Sequence, residues 1–147
     1  MAELNRSARS TALRAATLAL EKKAEDVLVI EIGRASNVAD YLVICSGMSD
    51  VHVRAVAEFV RRRLSKEGVR SHHTEGAEHG HWALTDFIDV VVHVMQPKVR
   101  EYYNLEGLWA DCPQKRYDEL SDPMVDIEDS WGGANEGAQT ESREEIA

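Results

Sequence analysis

The chain lacks most of the features that would assign a chemistry at once. Its two cysteines, Cys45 and Cys112, are too few for a disulfide framework. Cys45 stands in an apolar run, where a thiol reads as a small buried hydrophobe. Long apolar segments are missing as well. The longest run, Ile88 to Met95, is interrupted by Asp89 and His93 and falls far short of the roughly 20 residues that span a bilayer. Met1 to Ser10 is polar, with no apolar segment behind it of the kind a signal peptide carries. These absences predict a soluble, cytoplasmic protein.

An excess of positive charge is the next absence. The net charge is −9, and its location matters more than its size. Residues 1–116 hold 16 Lys/Arg and 16 Asp/Glu, whereas residues 117–147 hold ten acids and a single base, Arg143. A neutral body argues against a basic nucleic-acid-binding domain, whose affinity rests on clustered positive charge. It leaves open a protein partner on an RNA-rich particle. With 44% apolar residues the chain suits one compact domain. The expected division is a domain over 1–116 and a flexible acidic tail over 117–147. The tail carries Asp122-Pro123, Gly132-Gly133 and little apolar patterning. Trp131 within it reads as a lone exposed aromatic or as a docking point.

Along the body the hydrophobic period alternates. Leu13, Thr17, Leu20 and Ala24 recur at helical spacing over about 10–24. Val27 to Ile32 and Tyr41 to Ser46 are short apolar runs suited to buried strands, separated by turn-prone Gly33, Ser36, Asn37 and Asp40. Ser49 is placed to cap a second helix, with Asp50 in its first turn. Val53, Val56, Ala57, Val60 and Leu64 form that helix's apolar stripe, and Gly68 ends it. Val69 to Thr74 predicts an edge strand. His81 to Phe87 and Ile88 to Met95 predict two more, joined by a tight turn near Asp86–Asp89. Pro97 opens a short helix through Tyr103, and a last turn carries Leu105, Leu108 and Trp109. The order α-β-β-α-β-β-β-α predicts an α/β sandwich with a mixed sheet.

The strand Ile88–Met95 gives direction. Ile88, Val90, Val92 and Val94 share an apolar face, expected under the helices. Asp89, Val91, His93 and Met95 share the other, which is mixed and reads as an open binding platform or as a solvated face.

Several short motifs then occur together. They are Ala39-Asp40-Tyr41, Ser46-Gly47-x-Ser49-x-x-His52, Glu75-Gly76, Trp82-x-Leu84-x-Asp86-x-x-Asp89-Val-Val-Val-His93-Val and Arg100-x-x-Tyr103-x-Leu105-x-x-Leu108-Trp109. In order and spacing, over roughly residues 10–113, they resemble the ribosomal silencing factor (Iojap) family. The resemblance implies a nucleotidyltransferase-like fold without catalytic carboxylates. It also implies binding to the large ribosomal subunit through ribosomal protein L-fourteen, and translation repressed by steric exclusion of the small subunit during starvation. Neither a cofactor nor a metal is implied, and free copies are expected to form homodimers. The partner-binding residues carried over are Trp82, Asp86, Asp89, His93, Tyr102, Tyr103, Leu105, Leu108 and Trp109. Trp and Tyr suit such a surface, because they bring large apolar area with a polar handle.

Blander roles stand beside these. Leu108 and Trp109 could pin the last turn onto the core, and Asp86 and Asp89 could cap a strand turn. The Ser46–His52 junction reads as helix capping or as the vestige of a phosphate loop. Other functions have some footing. Large-subunit assembly fits the same resemblance. A nucleotidyltransferase-like enzyme would need carboxylates converging on a metal, and Asp86 and Asp89, three apart, do not share a strand face. His72, His73, His79 and His81 crowd one region, and the last two would share a face if extended, as zinc ligands can. Arg61, Arg62, Arg63, Lys66 and Arg70 form a basic run that could touch ribosomal RNA at the rim of a docking site.

Overall fold

A computed structural model describes residues 2–128, with side chains from Ala8 onward. Ten elements follow in the order α1 (Ala2–Glu21), β1 (Glu25–Glu31), β2 (Tyr41–Ser46), α2 (Asp50–Lys66), β3 (His73–Glu75), β4 (Trp82–Asp86), β5 (Val90–Met95), α3 (Pro97–Tyr103), α4 (Leu105–Leu108) and β6 (Gln114–Tyr117). A 3-10 turn closes the described chain at Pro123–Asp126. The strands form one sheet in the order β3-β4-β5-β2-β1-β6. Its central pair, β2 and β5, is parallel and the other pairs are antiparallel. The expected α/β architecture with a mixed sheet is therefore present. β6 is an addition that the sequence pattern did not reveal.

The two central strands are buried along their whole length, as near-continuous Val, Ile and Leu runs require. Period-two alternation divides them between two cores. Tyr41, Val43, Cys45, Val90, Val92 and Val94 face α1 and α2. Leu42, Ile44, Val91 and Met95 face the other side, where Leu28, Ile30 and Cys112 join them and Val99, Leu105 and Trp109 close over them. The second face is thus an apolar core over much of its area, which corrects the expectation of an open platform. Ile88 also departs from its expected place on the first face. It sits in the β4–β5 turn at φ 80°, 60% exposed.

α2 follows its sequence signals closely. Ser49 Oγ accepts from the His52 amide at 3.1 Å, the five expected stripe residues are buried, and Gly68 leaves the helix at φ 93°. α1 follows the expected stripe in part, with Leu13 buried and Leu20 packed on the core. Its buried side is Ala8, Ala12, Leu13, Ala15, Ala16, Leu18 and Ala19, while Thr17 turns its hydroxyl back onto the Leu13 carbonyl and Ala24 lies past the helix end. Small side chains let α1 lie close against α2 and the sheet on one side and the 3-10 turn on another. The Arg14 guanidinium forks onto the Glu67 carboxylate at 2.8–3.1 Å and ties the two helices at the surface.

The boundary expected after residue 116 falls inside β6. Tyr117 and Asp126 are both buried, and the Tyr117 hydroxyl donates to Asp126 Oδ2 at 2.7 Å. Residues 129–147, with Trp131, Gly132-Gly133 and Arg143, lie outside the described residues.

Candidate partner-binding site

The candidate residues separate into an aromatic cluster, three residues of the turn after it and two outlying carboxylates, and a buried arginine sets the cluster's frame. α3 begins at Pro97, whose missing N–H costs nothing at that position. It ends at Asn104 in the left-handed conformation, φ 48°, with its amide bonded to Arg100 O at 2.8 Å. Arg100 itself is turned inward, 5% exposed. Its Nη1 donates to Asp26 O at 2.8 Å and to Ser46 Oγ at 2.9 Å, and its Nε donates to Glu106 Oε2 at 3.1 Å. The remaining nitrogen, Nη2, lies 3.0 Å from Glu106 Oε2. One guanidinium thereby joins α3, α4 and the ends of β1 and β2. Sequence reasoning quoted Arg100 in the motif but did not place it in the site. The available signal was its permanently charged planar fork just ahead of Tyr102, Tyr103 and Leu105.

With Arg100 inward, the tyrosines after it face outward. Tyr102 is 81% exposed and Tyr103 is 54% exposed. They meet edge to face at 5.0 Å between ring centres. Tyr103 lies 4.9 Å from the Trp82 ring at the start of β4, so the segment after the sheet is stacked onto the sheet itself. Trp82 Nε1 donates to His93 Nδ1 at 3.0 Å. Burial holds the His93 imidazole neutral, its pKa lowered to about 4. Four of the nine candidates, Trp82, His93, Tyr102 and Tyr103, thus form one contiguous aromatic patch.

The other five divide. Leu105 and Trp109 are partly buried and pack on the second core, so they anchor α4. Leu108 points the other way, 72% exposed. Asp86 sits at the far end of β4 from Trp82, about 13 Å away at the usual strand rise. Its Oδ1 accepts from the Ile88 amide at 2.7 Å, which is turn capping. Asp89 lends its carbonyl to the amides of Asp40 and Tyr41 and so stitches the β4–β5 turn to the start of β2. The structure does not bring these two carboxylates into the aromatic patch.

The rival sites take a definite form. The Ser46–His52 junction is a capped turn. His52 Nδ1 accepts from the Met48 amide at 2.9 Å, and its Nε2 lies 2.9 Å from Lys22 O. The tightness requires Gly47, since a Cβ there would fall 2.7 Å from Val53 Cγ2. His79 lies in a turn, not in an extended strand, so it does not share a strand face with His81. His73 pairs with Glu75 at 2.7 Å, and His81 lies 4.0 Å from Asp50. Among the described residues no group of three His, Cys, Asp or Glu side chains is placed to hold a metal ion. In the basic run, Arg61 and Arg62 both bind Glu58, at 2.6 and 3.0 Å, and Arg63 lies 4.0 Å from Glu21. No helix among the described residues is long and apolar enough to cross a membrane.

Comparison with known proteins gives these geometries a context. Residues 5–145 match the family model described as "Ribosomal silencing factor during starvation". The ribosomal silencing factor RsfS of Bacillus subtilis is 43% identical over 93 residues, covering 63% of this chain and 79% of that one. A mouse protein named for mitochondrial assembly of the ribosomal large subunit is 33% identical over 96 residues, covering 63% of this chain and 42% of that one. A crystal structure of a Chromobacterium violaceum protein superposes with a TM-score of 0.65 at 35% identity, covering 76% of this chain and 92% of that one.

Proposed function

The chain belongs to the ribosomal silencing factor family, and on that footing we propose that it represses translation by binding rather than by turnover. In this reading it docks on the large ribosomal subunit through ribosomal protein L-fourteen, and its bulk keeps the small subunit from joining. It acts in the cytoplasm, free copies pair as homodimers, and the fold is a nucleotidyltransferase-like one stripped of catalytic carboxylates.

The observation that carries the reading is the exposed patch of Trp82, Tyr102 and Tyr103 held on a rigid base. Tyr102 keeps 81% of its surface in water although its ring meets Tyr103, which in turn packs on Trp82. Large aromatic surface, ordered in advance and left exposed, is what a protein–protein hot spot requires, because little side-chain entropy remains to be lost on docking. In this reading exposed Leu108 adds to the docking surface, with Leu105 and Trp109 anchoring its helix and His93 beneath Trp82. Asp86 and Asp89, at the other end of the strands, are assigned to the turn. Contact with ribosomal RNA falls to exposed Lys66 and Arg70, since Arg61 and Arg62 share Glu58 and Arg63 lies near Glu21.

The mouse relative's name supports a second reading, help in assembling the large subunit. One experiment separates the two. Purified chain is mixed with isolated bacterial subunits and the yield of joined ribosomes is followed by sedimentation. A silencing factor sediments with the large subunit and lowers that yield in proportion to its occupancy. An assembly factor leaves joining of mature subunits unaffected and binds precursor particles instead. A chain that sediments with neither particle ends both readings.

A further inference from the structure

The aromatic patch holds one polar group whose hydrogen has been fixed by its neighbour. The Trp82 indole nitrogen can only donate, and its acceptor is His93 Nδ1 at 3.0 Å. Nδ1 therefore carries the lone pair. In the neutral ring, favoured here by burial, the hydrogen sits on Nε2. The ring is largely enclosed, with His93 only 7% exposed. Yet Nε2 has no hydrogen-bond partner among the described residues, and it is not one of their fully enclosed unpaired polar atoms. By strand register His93 stands opposite Leu84, on the face that also carries Trp82. A partner lying across Trp82 and Tyr103 covers that donor, and a covered donor without an acceptor costs more than the hydrogen bond would contribute.

We infer that the protein docked on this patch presents a carbonyl oxygen, main-chain or side-chain, to the Nε2–H of His93. The inference rests on the docking role given to the patch above and adds the chemistry of one contact within it. A carbonyl suits the place. The donor is neutral and its surroundings are Trp82, Tyr103 and Leu84, so a phosphate oxygen would bring a full charge onto an apolar surface with no cation supplied by His93. Arg100, close in sequence, donates from Nη1 and Nε to Asp26, Ser46 and Glu106, and its Nη2, without a hydrogen bond, is buried beside the Glu106 carboxylate. His93 thereby has two separable tasks: Nδ1 orients the indole, and Nε2 selects the partner.

Two substitutions divide those tasks. His93→Asn places an amide oxygen where Nδ1 was, keeping Trp82's acceptor while deleting the outer donor. His93→Gln places an amide N–H near Nε2. Affinity for isolated large subunits is measured for both beside the wild type, at two salt concentrations, with thermal unfolding as a control. The Asn variant is expected to bind roughly tenfold more weakly at either salt. The Gln variant supplies an outer N–H but leaves the Trp82 indole without its acceptor, so it is expected to bind more tightly than the Asn variant and less tightly than the wild type. Wild-type affinity in the Asn variant, or a Gln variant as stable as the Asn variant that binds no better, overturns the inference. So does a loss that fades as salt rises, because that marks a phosphate as the acceptor. If the Asn variant does not fold, long-range proton–nitrogen spectra of the wild-type chain, free and with isolated ribosomal protein L-fourteen, decide: a hydrogen on Nδ1, or an Nε2–H signal that does not move on binding, refutes the inference, and a downfield shift of that signal upholds it. Failure of the wild type to bind large subunits sinks the docking role itself, whereas intact wild-type binding with an unaffected Asn variant sinks only the carbonyl contact.

Discussion

The Tyr117 hydroxyl donates to the buried carboxylate of Asp126 at 2.7 Å, and Lys115 reaches the same oxygen at 2.9 Å. This contact binds residues 117–126 into the fold. The sheet's last strand ends on Tyr117, and the turn that carries Asp126 packs on α1. Tyr117→Phe is therefore expected to cost about 1–2 kcal/mol, because a buried carboxylate loses a donor. A cut after residue 116 is expected to cost more. Urea unfolding measures both, and an unchanged midpoint in the truncated chain would place these residues outside the folded unit.

Arg100 gives the second prediction. Arg100→Lys keeps the charge but cannot reach Asp26 O, Ser46 Oγ and Glu106 together, so it should destabilise the domain by about 2 kcal/mol. Large-subunit binding should fall with it, since α3 and α4 carry Tyr102, Tyr103 and Leu108. A Lys variant as stable as the wild type would show that the fork geometry is dispensable.

Tyr102 should behave in the opposite way. At 81% exposure it contributes little to folding, so Tyr102→Ala is expected to shift stability by less than about 0.5 kcal/mol. Its loss from the patch should weaken large-subunit binding by at least roughly tenfold. Sedimentation with large subunits, set beside a thermal melt, reads the two effects separately. Full binding by the Ala variant would remove Tyr102 from the interface.

His93 makes stability fall with acid. Its folded pKa is lowered from 6.5 to about 4 by burial, so the unfolded chain takes up a proton that the folded chain refuses. The contribution is intact above about pH 6.5 and is lost progressively as pH drops toward 4, about 3 kcal/mol in all. Glu58 and Glu67, both lowered by hydrogen bonds from arginines, act in the same direction but only in the carboxylate range. Unfolding free energies at pH 7 and 5 should therefore differ more in the wild type than in His93→Asn. Equal differences would exclude the imidazole as the source.

Ile88 stands at φ 80° with a β-branched side chain 60% exposed, a conformation that L-residues of this shape rarely adopt. Ile88→Gly should relieve that strain and raise stability by about 1 kcal/mol despite glycine's entropy cost. A loss of stability on denaturant titration would mean that the Ile88 side chain contributes more than its backbone strains.

Sequence reasoning located what depends on local pattern. Ser49 and Gly68 bracket α2 because capping and the left-handed exit are properties of a few adjacent residues. The alternation in Val90–Met95 gave the two sheet faces because strand period is fixed at two. The aromatic and histidine residues of the patch could be named from motifs for the same reason. Tertiary structure alone decided which of them meet. Gln114–Tyr117 carries too weak a pattern to announce a strand and becomes one only where β1 offers a free edge. Tyr103 reaches Trp82 because Arg100, 74 residues from Asp26, finds its partners across the sheet. The nine candidates divide into a patch, an anchor and a turn because contact depends on strand register and helix placement, which long-range burial sets and local sequence does not encode.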